Sequence, residues 1–135
     1  MILKQRQILF ILLIIIGFIY GCDFGCDYSF EVENLTDKEI ISKAYGWYTH
    51  EDRFDTILPN ETKQIYAYIN GGYGKHDKAE DLDDFYMFDS ICFYINDTIK
   101  SFNDYKDKNF WEFTSKTRLG IYKTSIDCMA FDNCN

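Results

Sequence analysis

Two cysteines, Cys22 and Cys26, stand where an apolar segment ends, in Gly17-Phe18-Ile19-Tyr20-Gly21-Cys22-Asp23-Phe24-Gly25-Cys26. A thiol at such a boundary can ligate a metal, close a disulfide or accept a lipid, and its neighbours decide which. A zinc site is disfavoured, because no Cys-x-x-Cys pair occurs and His50 and His76 lie far in sequence from every cysteine. The same separation argues against a Cys–His nucleophile. Ser90 sits in Asp89-Ser90-Ile91, not in the Gly-x-Ser-x-Gly elbow that would activate a hydroxyl. Asp81, Asp83 and Asp84 could offer oxygen ligands to calcium, yet the EF-hand's central glycine and closing glutamate are missing. Residues 77–89 therefore read as a solvated acidic loop. No catalytic residue, metal site or cofactor is expected, and the chain is read as a non-enzyme.

The segment before Cys22 settles what its thiol is for. Lys4 and Arg6 precede an apolar run from Ile8 to Tyr20, too short for a bilayer core of roughly 18 or more residues and without a polar face. A basic start, a short apolar stretch and a small residue describe a secretory signal. Ile19-Tyr20-Gly21-Cys22 resembles the lipobox of bacterial lipoproteins: an aliphatic residue, a variable one, a small one, then the lipidated cysteine. Gly21 suits a peptidase that takes a small side chain before the cut, and only a thiol can become the thioether to diacylglycerol. Cys26 fits less well, since Asp23 occupies the aliphatic position. As an ordinary secreted cysteine Cys22 would need a small residue further upstream, where Phe18 and Ile19 stand. The expected organisation is a signal peptide over 1–21, the lipidated cysteine and a short tether over 22–27, and one domain over 28–135.

Charge narrows the partners. The chain has 14 basic and 22 acidic residues; removing 1–21 takes Lys4 and Arg6 and no acid, leaving a formal charge of −10. Nucleic acid is excluded by its phosphates, and a basic patch on anionic lipid is equally unsupported, so the acyl chains alone must hold the membrane. With Cys22 given to lipid, Cys26, Cys92, Cys128 and Cys134 remain, an even number for an oxidising compartment with three possible connectivities. Cys92 in mid-strand and Cys128 in the last strand suggest one bridge. Cys26 and Cys134, flanking the domain, suggest the other, with Cys128–Cys134 as the competitor.

Strand patterning organises the rest. Tyr28, Phe30 and Val32 alternate with Ser29, Glu31 and Glu33 over 26–35, and further strands are expected over 40–49, 55–58, 62–69, 85–96, 110–113 and 119–131. Pro59-Asn60-Glu61 reads as a turn, and Asn96-Asp97 as a tight hairpin without the usual glycine. About seven short strands and no helical period predict an all-β chain folded as an antiparallel β-sandwich.

The stretches CDYSFEVENLTDKEI (26–40), DTILPNETKQIY (55–66), FDSICFYINDTIK (88–100) and NFWEF (109–113) resemble small Bacteroidetes-type lipoproteins. That resemblance implies an immunoglobulin-like sandwich and an anchor at the cell envelope, at the outer membrane. It implies no catalytic residue. Asp55-Thr56-Ile57, Asp89-Ser90-Ile91 and Asp97-Thr98-Ile99 resemble the Asp-Ser/Thr-aliphatic acceptor of Bacteroidetes O-glycosylation, which marks Thr56, Ser90 and Thr98. Asn34, Asn60 and Asn96 match an N-glycosylation pattern that a bacterial source makes incidental.

Two surfaces can recognise a partner. Tyr45, Trp47 and Tyr48 can form an aromatic platform, although strand aromatics usually serve the core. The loop over 70–84 offers Tyr73, Lys75 and His76 among glycines. The expected function is a lipid-anchored, noncatalytic binding or assembly module for a protein or glycan. The competing reading is a small envelope hydrolase or an inhibitor of one.

Overall fold

The structure, a computed structural model, describes residues 25–46, 52–70, 78–132 and 134. Eight strands form: β1 (Cys26–Asn34), β2 (Ile40–Gly46), β3 (Arg53–Ile57), β4 (Thr62–Asn70), β5 (Phe88–Ile95), β6 (Ile99–Lys100), β7 (Glu112–Lys116) and β8 (Leu119–Ile126). They build two four-stranded sheets, ordered β4-β1-β8-β7 and β3-β2-β5-β6. The all-β sandwich is therefore present, with eight strands instead of about seven. Every pairing is antiparallel except β1 with β8, which run side by side in the same direction. Among the described residues no helix is long and apolar enough to cross a membrane.

Alternation explains the strands. In β1, Tyr28, Phe30 and Val32 turn inward while Asp27, Glu31 and Glu33 turn out. The strand begins at Cys26, two residues before the expected start of the domain. Asn96 (φ 52°) and Asp97 (φ 57°) both adopt the left-handed region, as a primed hairpin turn between β5 and β6 requires, and short polar side chains tolerate it without glycine. Several strands are shorter than their apolar runs. Phe85 belongs to a turn, its carbonyl accepting from Phe88 N at 3.1 Å, and Phe110 ends a 3-10 turn over Lys108–Phe110. The last run stops at Ile126, where the Asp127 side chain caps a second 3-10 turn, Cys128–Ala130.

Aromatic rings fill the space between the sheets. Phe30, fully buried, meets Phe88 of the opposite sheet edge-on with centroids 4.9 Å apart, and stacks on Tyr122 at 5.1 Å. Phe85 and Trp111 close around the same ring at 5.0 and 5.6 Å. Burying one such ring contributes roughly 1.5–3 kcal/mol. Gly120 permits the crowding, since a Cβ there would lie 2.6 Å from the Tyr28 ring and 2.9 Å from that of Phe113.

Asn34 ties one end of the sandwich together. Its side chain, wholly buried, donates to Lys38 O (2.8 Å) and Ile57 O (3.0 Å). It accepts from Thr36 N (2.9 Å) and Thr36 Oγ1 (2.8 Å). Asn34-Leu35-Thr36 is thus a structural turn that pins the β1–β2 connection to the end of β3, and leaves no room for a glycan on Asn34.

The cysteine pairing differs from expectation. The bridge is Cys128–Cys134, with Cα atoms 5.2 Å apart, while Cys26 and Cys92 are free thiols. Cys26–Cys134 fails on distance. Lys38, just beyond the far end of β1, donates to Cys134 O at 2.6 Å, whereas Cys26 starts that strand, eight residue rises or roughly 26 Å away. Cys92–Cys128 fails because Cys92 turns to the outer face of β5, away from the other sheet. The 3-10 turn after Asp127 instead folds the chain back so that its two nearest cysteines meet.

Candidate functional site

The sheet β3-β2-β5-β6 spends alternate residues on the core and leaves the others on a broad outer face. Register fixes its rows. Thr56, Ile41, Tyr94 and Lys100 lie side by side across the four strands; Phe54, Lys43 and Cys92 form the next row; Tyr45 and Ser90 begin a third. Tyr45 meets Phe54 edge-on at 5.7 Å, and Phe54 stays 58% exposed. The Lys43 ammonium lies 4.5 Å from the centre of the Tyr94 ring and pairs with Asp97, which holds it protonated above the ordinary lysine range. A hydrogen bond with the Cys92 sulfur raises Lys100 in the same sense. The face therefore combines ring surface with two lysines held by neighbouring side chains.

Of the expected aromatic platform, Tyr45 lies on this face, and Trp47 and Tyr48 lie outside the described residues. Phe54, Tyr94 and Ile41 were missed. Their signal was the alternation of β2, β3 and β5, which carry large apolar residues at outward as well as inward positions.

The three hydroxyls marked for O-glycosylation fall on the same sheet. Thr56 is exposed on edge strand β3, Ser90 is half-buried beside Tyr45, and Thr98 is exposed in the β5–β6 hairpin. Following them, Ile57 and Ile91 are buried and Ile99 packs against the core. Strand alternation thus also accounts for the repeated Asp-Ser/Thr-Ile pattern.

The acidic stretch is anchored instead of freely solvated. Ala79 and Leu82 are buried, and Phe85 is part of the core. Tyr28 Oη donates to Glu80 O (2.9 Å), and Ser115 Oγ donates to Ala79 O (2.6 Å). Tyr122 Oη accepts from Leu82 N (2.5 Å) and donates to Asp81 Oδ1 (2.6 Å), while Lys108 Nζ reaches Asp81 Oδ2 (2.9 Å) and Leu82 O (2.7 Å). Burial pushes the Asp81 carboxyl up, but the Tyr122 hydroxyl and Lys108 together hold it below the usual range. Burial and the neighbouring Asp81 push the Tyr122 hydroxyl well above the ordinary tyrosine range. Glu33 is likewise lowered, by Lys123 and Ser125. These carboxylates are ionised partners of cations, the opposite of a general acid. Among the described residues, no group of three His, Cys, Asp or Glu side chains is placed to share a metal ion.

Cys22, residues 1–21 and Tyr73, Lys75 and His76 lie outside the described residues. Both flanks of the stretch over 71–77 are placed. Asn70 opposes Cys26 in the β1–β4 ladder, and Ala79 is tied to Ser115 near the β7–β8 hairpin. That stretch is thus entered and left at the end of the sandwich where β1 starts. Comparison with protein-family models, curated proteins and solved structures finds no match.

Proposed function

We propose that the chain is a lipid-anchored protein of the bacterial cell envelope, held at Cys22 in the outer membrane. In this reading it serves as a noncatalytic binding or assembly module for a protein or glycan partner. The outward-facing rings of Tyr45, Phe54 and Tyr94, one in each of three successive rows, carry the proposal. They lie outside the space between the sheets; Tyr45 and Tyr94 are half-buried, but Phe54 is 58% exposed, and a large apolar ring kept at the surface costs hydration unless a partner covers it.

The anchor would orient this face. Cys22 and Cys26 are four residues apart, at most about 14 Å of extended chain. The end of the sandwich bearing Cys26 and Asn70 would then lie against the bilayer, with the sheets standing away from it.

The experiment combines two readouts. Cys22→Ser should abolish palmitate labelling and leave an uncleaved precursor, whereas Cys26→Ser should do neither. Replacing Tyr45, Phe54 and Tyr94 together by serine should preserve labelling and folding yet reduce envelope partners recovered with the native protein. Lipid on Cys26, or unchanged recovery from the triple variant, would contradict the proposal.

A further inference from the structure

The opposite sheet carries a second site. Beside the end of β8, the chain crossing over 103–112 leaves a groove of about 360 Å³, lined by Glu33, Asn103, Tyr105, Phe110, Glu112 and Lys123 among others. That volume falls in the range of small-ligand sites. Its chemistry is mixed in a particular way. Glu33 and Glu112 supply acceptors, and Lys123 stands between them, paired with Glu33 at 2.8 Å and opposite Glu112 in the β7–β8 register. Ser125 Oγ also donates to Glu33 Oε2 at 3.0 Å, which fixes that carboxylate in place.

Deeper in, Tyr105 is 2% exposed, and its hydroxyl is 3.4 Å from Asn103 Nδ2. With the Asn103 amide donating, the Tyr105 hydroxyl proton has no acceptor among the described residues; with the amide turned, the half-buried Asn103 NH2 is the spare donor, so in either case one donor lines the groove with bonding capacity to spare. Phe110, 39% exposed, adds a ring at the rim, its centroid 5.4 Å from that of Tyr105.

We infer that this groove binds a neutral, hydroxyl-rich ring, a hexopyranose unit of a glycan. The charge pattern selects the class. An anion entering the groove meets two carboxylates, and a cation finds only Glu112, an exposed carboxylate that attracts it weakly, because Lys123 already neutralises Glu33. A sugar hydroxyl both donates and accepts, so vicinal hydroxyls can satisfy Glu112, Lys123 and the Asn103–Tyr105 pair at once without bringing a net charge. The C–H face of a pyranose is apolar and can pack against the Phe110 ring. The groove lies on the sheet opposite the aromatic face, so it does not depend on that face being a recognition surface.

The test uses the full chain in detergent micelles, with the Trp111 indole N–H as reporter, since Trp111 Nε1 donates to Tyr105 O at 2.8 Å beside the groove. Three matched probes are titrated: methyl glucopyranoside, methyl glucuronide and methyl glucosaminide. The neutral glycoside should shift the reporter saturably with a Kd near the millimolar range of a single sugar, and the two charged analogues should bind more weakly. Glu112→Gln, at an exposed position that leaves the core untouched, and Phe110→Ala, which removes the ring resting on Tyr105, should each weaken binding by about tenfold. The absence of a saturable shift with the neutral glycoside, tighter binding of either charged analogue, or unchanged affinity in both variants would overturn the inference. None of those results would bear on partner recovery through Tyr45, Phe54 and Tyr94.

Discussion

Replacing Asn34 by alanine tests the physical account of this fold at one buried side chain. Four hydrogen bonds disappear, and their worth is unequal. Lys38 O keeps a donor, because Thr36 Oγ1 also reaches it at 2.9 Å. Thr36 N, in a residue only 3% exposed, loses its acceptor, and Ile57 O, at the buried end of β3, loses a side-chain donor. An orphaned buried group costs about 1–3 kcal/mol, so the two together predict a loss of roughly 3 kcal/mol. For a domain of this size that corresponds to a fall in Tm of roughly 10–20 °C. Urea denaturation gives the free energy, and Thr36→Val in a double-mutant cycle separates the shared part, since both residues belong to one network. A loss below about 1 kcal/mol for Asn34→Ala, or strict additivity with Thr36→Val, would refute the reasoning.

Gly120→Ala should cost about 1–3 kcal/mol in the same assay, because the Tyr28 and Phe113 rings leave no room for a methyl group; a neutral result would mean that these rings can move apart. Alkylation should separate the cysteines into three classes. Cys92 should react in the native protein, Cys26 only on unfolding, and Cys128 and Cys134 only after reduction. Acid stability should depend on Asp81. Its folded carboxyl is held below the unfolded value of about 4, so its contribution is complete above that pH and is lost as pH falls through the folded value. Asp81→Asn should therefore flatten the acid limb of the stability curve, and an unchanged limb would contradict the assignment.

Much of the fold was legible because alternation is a local signal. β1, β3 and β4 lie within two residues of their expected spans, and the Asn96-Asp97 hairpin forms despite lacking glycine. What the sequence hid was long-range. Phe110 and Phe131 look like strand residues, but the Asp107 and Asp127 side chains cap 3-10 turns there, a competition that apolar counting does not register. The disulfide depended on which end of β1 the C-terminal segment reaches, and only the three-dimensional path decides that. Asp81 read as solvent-facing because its partners, Tyr122 and Lys108, are 41 and 27 residues distant. The aromatic outer face was half legible: Tyr45 was noticed by its type, whereas Phe54 and Tyr94 become visible only once register sets three strands side by side.

We propose that the outer face of β3-β2-β5-β6 meets a partner at the envelope. A photoreactive amino acid placed at Phe54, and separately at Gln64 on the outer face of the other sheet, tests it in living cells. A discrete crosslinked species that depends on intact Cys22 is expected from position 54, and none of comparable yield from position 64. Crosslinking from position 64 alone, or an equal yield from both, would contradict it.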